Sequence, residues 1–261
     1  MKGKDAVEKY VTSIEWIRDE LSVMDELAGP IMGVSDWDDA VCISFGGKRL
    51  VASVDGPYAK RLVLKSALIH ASTDVVVKGA KPLFALDTVM GTKKDVEEMI
   101  DSLKKQALAM KIPILGGNTL FEETEPRASL TVLGELVVDE PIRDSTACKG
   151  DTLALVGEPI WGEQEERIKK ALNLFECWFS ALASGIQINS AKDVTKGGLA
   201  SVVYEMASKS GNKFRLKERI NYPLTRNLDN FIVTASRQEY AKLESLCKKK
   251  KCLIEEIGTV K

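Results

Sequence analysis

The sequence predicts a two-domain protein of the α/β or α+β class. Helical patterns of apolar residues alternate with short strand-like runs along the whole chain, which is typical of these folds. The length of 261 residues favours two domains over one, at roughly 150 residues per domain. A polar stretch without periodicity over 141–150 predicts the boundary, with an N-terminal domain of 1–143 and a C-terminal domain of 144–261.

The elements of the first half follow from spacing and from stop signals. Apolar residues at helical spacing predict an amphipathic helix over 5–28, which Gly29-Pro30 ends. A glycine-rich turn is expected at 116–119, directly after a short strand. The other predicted elements are helices over 62–78 and 94–110 and strands over 40–45, 50–54, 82–90, 112–115 and 128–138.

The second half repeats the same alternation. A turn over 191–198 is expected to lead from a strand into a helix that continues to Ser210 and stops at Gly211. The other predicted elements are helices over 163–183 and 239–250 and strands over 152–156, 231–235 and 253–260.

The composition excludes several classes of partner. The chain carries 37 Lys and Arg against 38 Asp and Glu, a net charge of −1. This balance predicts no binding to nucleic acid and none to an anionic membrane surface. No apolar run approaches the length of a membrane span, and the first ten residues lack the apolar core of a signal peptide. We therefore expect a cytoplasmic protein.

Histidine and cysteine usage narrows the chemistry further. The single histidine, His70, excludes a histidine-rich metal site. His70 lies four residues before Asp74 on one helix face, where it either touches a substrate or bonds to a neighbour in the core. The five cysteines form no C-x-x-C pair, which does not support a zinc ribbon and is typical of a reducing cytosol. We interpret them as small apolar residues, with Cys148 in the polar connector as the one candidate nucleophile.

Acidic residues at element ends are the first candidate site. Asp38 and Asp39 precede a predicted strand, Asp55 ends the next one, and Asp74 stands beside three valines in an apolar helix. Carboxylates that converge repel one another, and a hard cation such as Mg²⁺ relieves that repulsion. The pattern predicts a magnesium site on Asp39, Asp55 and Asp74. A single aspartate such as Asp38 or Asp39 is better explained as a turn cap.

Glycine pairs are the second candidate site. Gly116-Gly117-Asn118-Thr119 and Lys196-Gly197-Gly198 allow backbone amides to approach a ligand closely, and the second pair opens a helix whose N-terminus favours anions. Either pair could also be an ordinary turn. The P-loop, the G-x-G-x-x-G fingerprint, H-E-x-x-H and G-x-S-x-G are all absent.

Together these motifs resemble a known superfamily. It includes aminoimidazole ribonucleotide (AIR) synthetase, selenophosphate synthetase, thiamine-monophosphate kinase and a hydrogenase-maturation protein. Five segments in order carry the resemblance, namely 38–41 (DDAV), 54–60 (VDGPYAK), 73–82 (TDVVVKGAKP), 116–119 (GGNT) and 193–199 (DVTKGGL). The segment from Gly116 to Leu133 is most similar to the selenophosphate synthetase branch.

The resemblance implies a fold, cofactors and roles. It implies an AIR synthase-like fold in which N-terminal mixed sheets form a shared barrel in a homodimer, with a second α/β domain beside it. It implies a Mg²⁺-dependent, ATP-binding enzyme that transfers a phosphoryl group to a small molecule or activates it. The implied metal ligands are Asp38, Asp39, Asp55 and Asp74. The implied nucleotide-binding residues are Gly116, Gly117, Asn118, Thr119, Asp193 and Gly197, and the implied catalytic residues are Lys60 and Lys196.

The chain also departs from its superfamily. Residues 1–37 contain no cysteine, where selenophosphate synthetase has a reactive cysteine or selenocysteine. Asn118 stands where the kinase has an acidic residue, and the C-terminal domain is short. These departures motivate an alternative function, a catalytically degenerate nucleotide-binding accessory or maturation protein.

Overall fold

The structure is a computed structural model that describes residues 2–261, with side chains described from Thr12 onward. The first half holds four α-helices, a short 3-10 helix at Val34–Asp36, and five strands. The helices are α1 Lys2–Leu21, α2 Met24–Ala28, α3 Lys60–Val77 and α4 Lys93–Met110. The strands are β1 Val41–Phe45, β2 Lys48–Ala59, β3 Ala80–Gly91, β4 Ile114–Phe121 and β5 Arg127–Leu136.

The five strands form one mixed sheet in the order β1-β2-β5-β3-β4. All neighbours are antiparallel except β3 and β4, which run parallel and are joined by α4 as a crossover. Alternate residues of β5 are buried beneath α3, in keeping with the two-residue repeat of a strand. The opposite face of this sheet carries exposed apolar side chains.

The second half builds a second sheet in the order β7-β9-β6-β10-β8, and every pair of neighbours in it is antiparallel. Its strands are β6 Thr152–Val156, β7 Ser190–Asp193, β8 Phe214–Leu216, β9 Phe231–Ala235 and β10 Ile254–Val260. Its helices are α5 Gln164–Ala183, α6 Gly198–Ser210 and α7 Arg237–Lys250.

The two halves share a continuous apolar core. Helix α3 packs on α5, and the buried indole of Trp178 donates a hydrogen bond to the Val76 carbonyl oxygen over 2.8 Å. Trp178 also meets Phe231 edge to face at 5.2 Å between ring centres. These contacts pack helix α3 of the first half against the second half.

Three sequence predictions need correction. The helix over 5–28 is two helices, because the chain turns at Ser22-Val23 before α2 begins. The strand over 112–115 begins at Ile114 and continues to Phe121, so 116–119 is a strand segment and not a turn. The turn predicted over 191–198 begins inside strand β7, Ser190–Asp193, and strand β8 is missed because three residues show no period. The fold class and the remaining elements are confirmed, with bounds that differ by a few residues at most of their ends.

No helix within the described residues 2–261 is long and apolar enough to cross a membrane.

Candidate functional site

The predicted acidic residues meet at the junction of the two halves. Asp39 lies in the loop before β1, Asp55 is in β2, Asp74 is in α3, and Asp193 ends β7. The hydroxyl oxygen of Ser53 links two of them, because it lies 2.8 Å from Asp74 Oδ2 and 3.0 Å from the Asp39 carbonyl oxygen. Folding thus gathers carboxylates that are up to 154 positions apart in the chain.

Asp74 lies in an environment that strongly disfavours its ionised form. Its side chain is buried, and burial followed by Asp193, Asp39 and Asp55 raises its pKa well above the ordinary value. The Ser53 hydroxyl holds a single proton for two acceptors, so a protonated Asp74 that donates to Ser53 satisfies both contacts. Asp74 is therefore a carboxyl group whose ionised form needs a nearby cation.

Asp193 is in a similar position on the other half. Burial and the charge of Asp39 raise its pKa to about 7. Thr73 Oγ1 lies 2.9 Å from Asp193 Oδ2, while Oδ1 is buried and has no hydrogen-bond donor among the described residues. An unpaired buried carboxylate oxygen is costly, and a metal ion or a ligand donor would satisfy it.

Asp39 is ionised and pairs with lysine. Burial would raise its pKa, but Lys192 and Lys78 outweigh burial and lower it. The Lys192 ammonium binds Oδ1, whereas Oδ2 lies 3.5 Å from the Lys78 ammonium and accepts no hydrogen bond from any described group. Asp39 therefore presents one buried oxygen that remains able to bind a cation.

Asp38 has a different environment from the other predicted metal ligands. Its Oδ1 accepts from the Lys78 ammonium at 2.7 Å and from the Asp144 amide at 3.0 Å, and its Oδ2 accepts from Arg143 Nε at 2.9 Å. Burial opposes the lowering of its pKa, and Lys78 and Lys209 outweigh burial. The structure thus uses both oxygens of Asp38 in a buried ion-pair network.

Asp55 lies at the edge of the group beside the only histidine. Its Oδ1 accepts from the Gly56 amide over 2.7 Å, and Tyr58 donates its hydroxyl to Oδ2. The Tyr58 ring is 5.7 Å from the ring of His70, whose Nδ1 lies 2.8 Å from Asp229 Oδ1. Burial lowers the pKa of His70, but Asp229 outweighs burial and the net pKa is raised.

A cavity of about 280 Å³ opens beside Asp38 and Asp39. Thr195 and Lys196, from the loop before α6, line it together with Trp37 and Ile14. The Lys209 ammonium donates a hydrogen bond to the Trp37 carbonyl oxygen. The Arg18 guanidinium lies 5.8 Å from the centre of the Trp37 ring. The cavity is near the lower limit of small-molecule pockets, so it suits a polyphosphate and metal better than a whole nucleotide.

Two predicted segments are not gathered into this cavity. Lys60 forms ion pairs with Asp95 at 2.7 Å and Glu98 at 2.5 Å, both on α4. The 116–119 segment lies in edge strand β4, three strands from Asp55 by register and therefore about 14 Å across the sheet. Gly117 is required there, because a Cβ atom would lie 1.7 Å from Asp87 Oδ1.

Several contributing residues were missed by sequence reasoning. Lys192 is the clearest case, since it immediately precedes the Asp193 motif and ties Asp39 to the second half. Burial alone would lower its pKa, but Asp39 and Glu205 raise it well above the ordinary value. Ser53 and Thr73, which contact Asp74 and Asp193, were not predicted as site residues, although Thr73 begins the motif segment 73–82.

The donor set fits Mg²⁺. Magnesium prefers carboxylate oxygens, and two buried ones, on Asp39 and Asp193, have no hydrogen-bond donor in the described part of the chain. The raised pKa values of Asp74 and Asp193 show that their negative charge is not fully compensated. No three of the described carboxylates have oxygens all within 4.8 Å of one another, so a cation would draw the group together.

Two α/β sheets with an acidic site at their junction define the class of this protein. Two family models match it: AIR synthase related protein, N-terminal domain, over residues 37–136, and AIR synthase related protein, C-terminal domain, over residues 163–261. The chain belongs to the AIR synthase related family. The family resemblance predicted from the five motifs is thereby confirmed.

Similar sequences come from archaea and bacteria. An uncharacterized protein of Methanocaldococcus jannaschii is 36% identical over 255 residues, covering 96% of this chain and 83% of the relative. A putative hydrogenase expression/formation protein of the same organism is 29% identical, covering 69% of this chain and 61% of its own length. A selenide, water dikinase of Carboxydothermus hydrogenoformans is 26% identical, covering 74% and 63%. The chain thus matches less than two thirds of the length of the last two relatives.

Solved structures show the same fold. Thermotoga maritima PurL complexed with ATP superposes with a TM-score of 0.73 at 14% identity, covering 88% of this chain and 43% of PurL. A chain of the HypE-HypF complex superposes with a TM-score of 0.68 at 18% identity, covering 87% of this chain and 88% of that chain.

Proposed function

We propose that this chain is a Mg²⁺-dependent, ATP-binding enzyme that transfers a phosphoryl group to a small-molecule acceptor. The observation that carries the proposal is the buried group of Asp39, Asp74 and Asp193, in which two carboxylate oxygens have no donor among the described residues. A selenide, water dikinase among the relatives and PurL solved with ATP support a nucleotide as the ligand. Phosphoryl transfer needs mainly positioning and charge neutralisation, and an acidic metal site supplies these.

Asp39, Asp55 and Asp74 would hold the metal, and Asp193 and Gly197 would face the nucleotide. Magnesium, when bound, would neutralise phosphate charge and align the reacting groups. Gly197 is the N-cap of α6, with a positive φ of 88° and no side-chain cap, and the positive end of this 13-residue helix favours phosphate oxygens. The Gly198 and Ala200 amides already donate to the Thr195 and Leu224 carbonyl oxygens, so the dipole of the helix contributes more than these two amides. Asp38 supports the site through its ion pairs with Lys78 and Arg143.

Of the two candidate lysines, Lys196 is the better placed to stabilise the transferring phosphoryl group. It lines the cavity that opens beside Asp38 and Asp39. Lys60 would reach a phosphate only after leaving both Asp95 and Glu98. A lysine beside the transferred group stabilises the charge that develops during transfer.

A homodimer through the N-terminal sheet completes the proposal. The outward face of this sheet exposes six apolar side chains that a monomer would leave in water. They are Val41, Ile43, Phe45, Val54, Leu86 and Leu120. Asn118 pairs in register with the exposed Thr88 on the same face. A partner packed there would cover this face and place Gly116, Asn118 and their neighbours at the interface.

The five free cysteines suit a reducing cytoplasm.

The test is calorimetric titration with Mg·ATP of the wild type, Asp55→Asn and Asp87→Asn. Asp87 is a matched control, because it is partly buried on the helix-covered face of the same sheet but lines a different cavity, against α4. We expect magnesium-dependent binding to the wild type and to Asp87→Asn, and at least tenfold weaker binding to Asp55→Asn. Wild type that binds no Mg·ATP would refute the proposal. Tight binding without ADP formation over a broad acceptor panel would instead favour the accessory-protein alternative.

A further inference from the structure

Three cysteines that are distant in sequence meet in the second half of the chain. Cys177 is on α5, Cys247 is in the last turn of α7, and Cys252 precedes β10. All three side chains are buried, and their sulfur atoms lie within 4.8 Å of one another. The sulfurs of Cys177 and Cys247 are 3.5 Å apart. In the described part of the chain, no other set of three or more His, Cys, Asp or Glu side chains converges this closely.

Hydrogen bonding within the cluster shifts the three thiol pKa values in different directions. Contacts with Cys247 and then Cys252 lower the pKa of Cys177, and contacts with Cys177 and then Cys252 raise the pKa of Cys247. The contact with Cys177 raises the pKa of Cys252 and outweighs the opposite effect of Cys247. Of the two charged side chains nearby, Lys250 lowers the pKa of Cys177 and Glu176 raises it, and the two form an ion pair at 2.8 Å.

We propose that Cys177, Cys247 and Cys252 form a trigonal thiolate site for a soft monovalent cation of the Cu(I) type. Thiolates select soft metals, and a site with three sulfur donors and no fourth side-chain ligand suits three-coordinate Cu(I) better than tetrahedral Zn²⁺. A metal–sulfur bond of about 2.3 Å places the sulfurs of a trigonal site about 4 Å apart. The Cys177–Cys247 separation is 3.5 Å and no sulfur–sulfur separation in the cluster exceeds 4.8 Å, so binding needs only small side-chain shifts.

The site would also join two helices to the last strand. Cys177 lies on α5 and Cys247 on α7. Lys251 caps the C-terminus of α7 with a left-handed φ of 55°, and Cys252 follows it directly. Metal binding would displace thiol protons and so would tighten as pH rises. At a free metal concentration of about 100 times Kd, it would shift the folding equilibrium about 100-fold toward the native state.

The test is an anaerobic titration of the reduced, metal-free protein with Cu(I), against a chromophoric Cu(I) chelator as competitor. We expect one Cu(I) per chain in the wild type and in Cys148→Ser, whose cysteine is exposed and outside the cluster. Cys247→Ser and Cys252→Ser should each lose this stoichiometric site. X-ray absorption on the copper-loaded wild type should show three sulfur neighbours, a result that does not depend on the variants folding.

Other results would overturn the proposal. Wild type that takes up no Cu(I) in competition, or that takes up Zn²⁺ in its place, would exclude a site of this type. Nitrogen or oxygen neighbours in the absorption spectrum would place the bound metal elsewhere. A Cys177–Cys247 disulfide formed by a mild oxidant in protein unable to bind Cu(I) would assign the cluster to redox chemistry instead.

Discussion

Thr73 on α3 lies 2.9 Å, through its hydroxyl oxygen, from Asp193 Oδ2 at the end of β7, and this hydrogen bond joins the two halves at the acidic site. The same hydroxyl donates to the His70 carbonyl oxygen over 2.6 Å. A single hydroxyl proton cannot serve both acceptors, whereas a protonated Asp193 can donate to Thr73. The contact therefore couples the packing of the halves to the charge on Asp193, whose pKa is about 7.

Replacing Thr73 with valine should weaken the junction of the halves. Thr73→Val keeps the shape of the side chain but leaves Asp193 Oδ2 without its described hydrogen-bond partner, so we expect a loss of about 1–3 kcal/mol in the free energy of unfolding. Ser72→Ala is the matched control, because the Ser72 hydroxyl bonds only within its helix, to the Leu68 carbonyl oxygen. Urea denaturation measures both, and equal losses would contradict a special role for the Thr73 contact.

Asp193 should make the protein less stable as pH rises. Its pKa is about 7 in the folded state against 3.8 as the ordinary value. Between these values the folded state keeps a proton that the unfolded chain has lost, so the free energy of unfolding falls with rising pH and levels off above pH 7.

Asp193→Asn should remove this contribution. The difference in the free energy of unfolding between variant and wild type should grow from pH 4 to pH 7 in denaturant titrations without magnesium. Comparing variant with wild type cancels the opposite trend from Asp38, whose lowered pKa makes stability fall in acid. A difference that is constant with pH would refute the assignment.

Asp74→Asn should have opposite effects on stability with and without magnesium. Burial and three neighbouring carboxylates raise the pKa of Asp74, so its neutral replacement should stabilise the metal-free protein by about 1–3 kcal/mol at pH 8. The same change should abolish the stabilisation that added Mg²⁺ gives the wild type. Thermal unfolding with and without Mg²⁺ measures both effects. Asp87→Asn, which also removes a partly buried carboxylate, should leave the magnesium response intact.

The two candidate lysines should differ in their effect on turnover. Lys196→Gln should lower the rate of ADP formation by about 10²–10³-fold with Mg·ATP binding retained, because the lysine would act on charge that develops during transfer. Lys60→Gln should keep a rate close to wild type and should lose stability instead, since it breaks pairs with Asp95 and Glu98. Steady-state kinetics of both variants decide the point, and a greater loss for Lys60→Gln would exchange the two roles.

Much of the fold was predictable because local and tertiary preferences agree. Strands β6 and β9 match the predicted 152–156 and 231–235, since continuous apolar runs between turn residues describe a strand buried on both faces. Strand β4 shows the opposite case. Gly116 and Gly117 favour a turn locally, yet pairing with β3 and the Asp87 side chain over Gly117 make the segment a strand.

The site divides in the same way. Asp74 stood out because a carboxylate among valines has no packing role, and the structure confirms that it is buried with other aspartates. Lys192, Ser53 and Thr73 could not be found, because a lysine or hydroxyl becomes informative only once its partner across the cleft is known. For the same reason, no sequence motif marks Cys177, Cys247 and Cys252 as a cluster.

The sequence by itself determined the fold class, the order of most helices and strands, and the family, because periodicity and short motifs are properties of neighbouring residues. Only the tertiary structure decided which charges meet. Asp39 and Lys192 are 153 positions apart and form an ion pair, whereas Lys60 forms an ion pair with Asp95 on α4. The physical reason is that Coulomb and hydrogen-bond energies depend on distance and burial, and long-range strand pairing and helix packing set both.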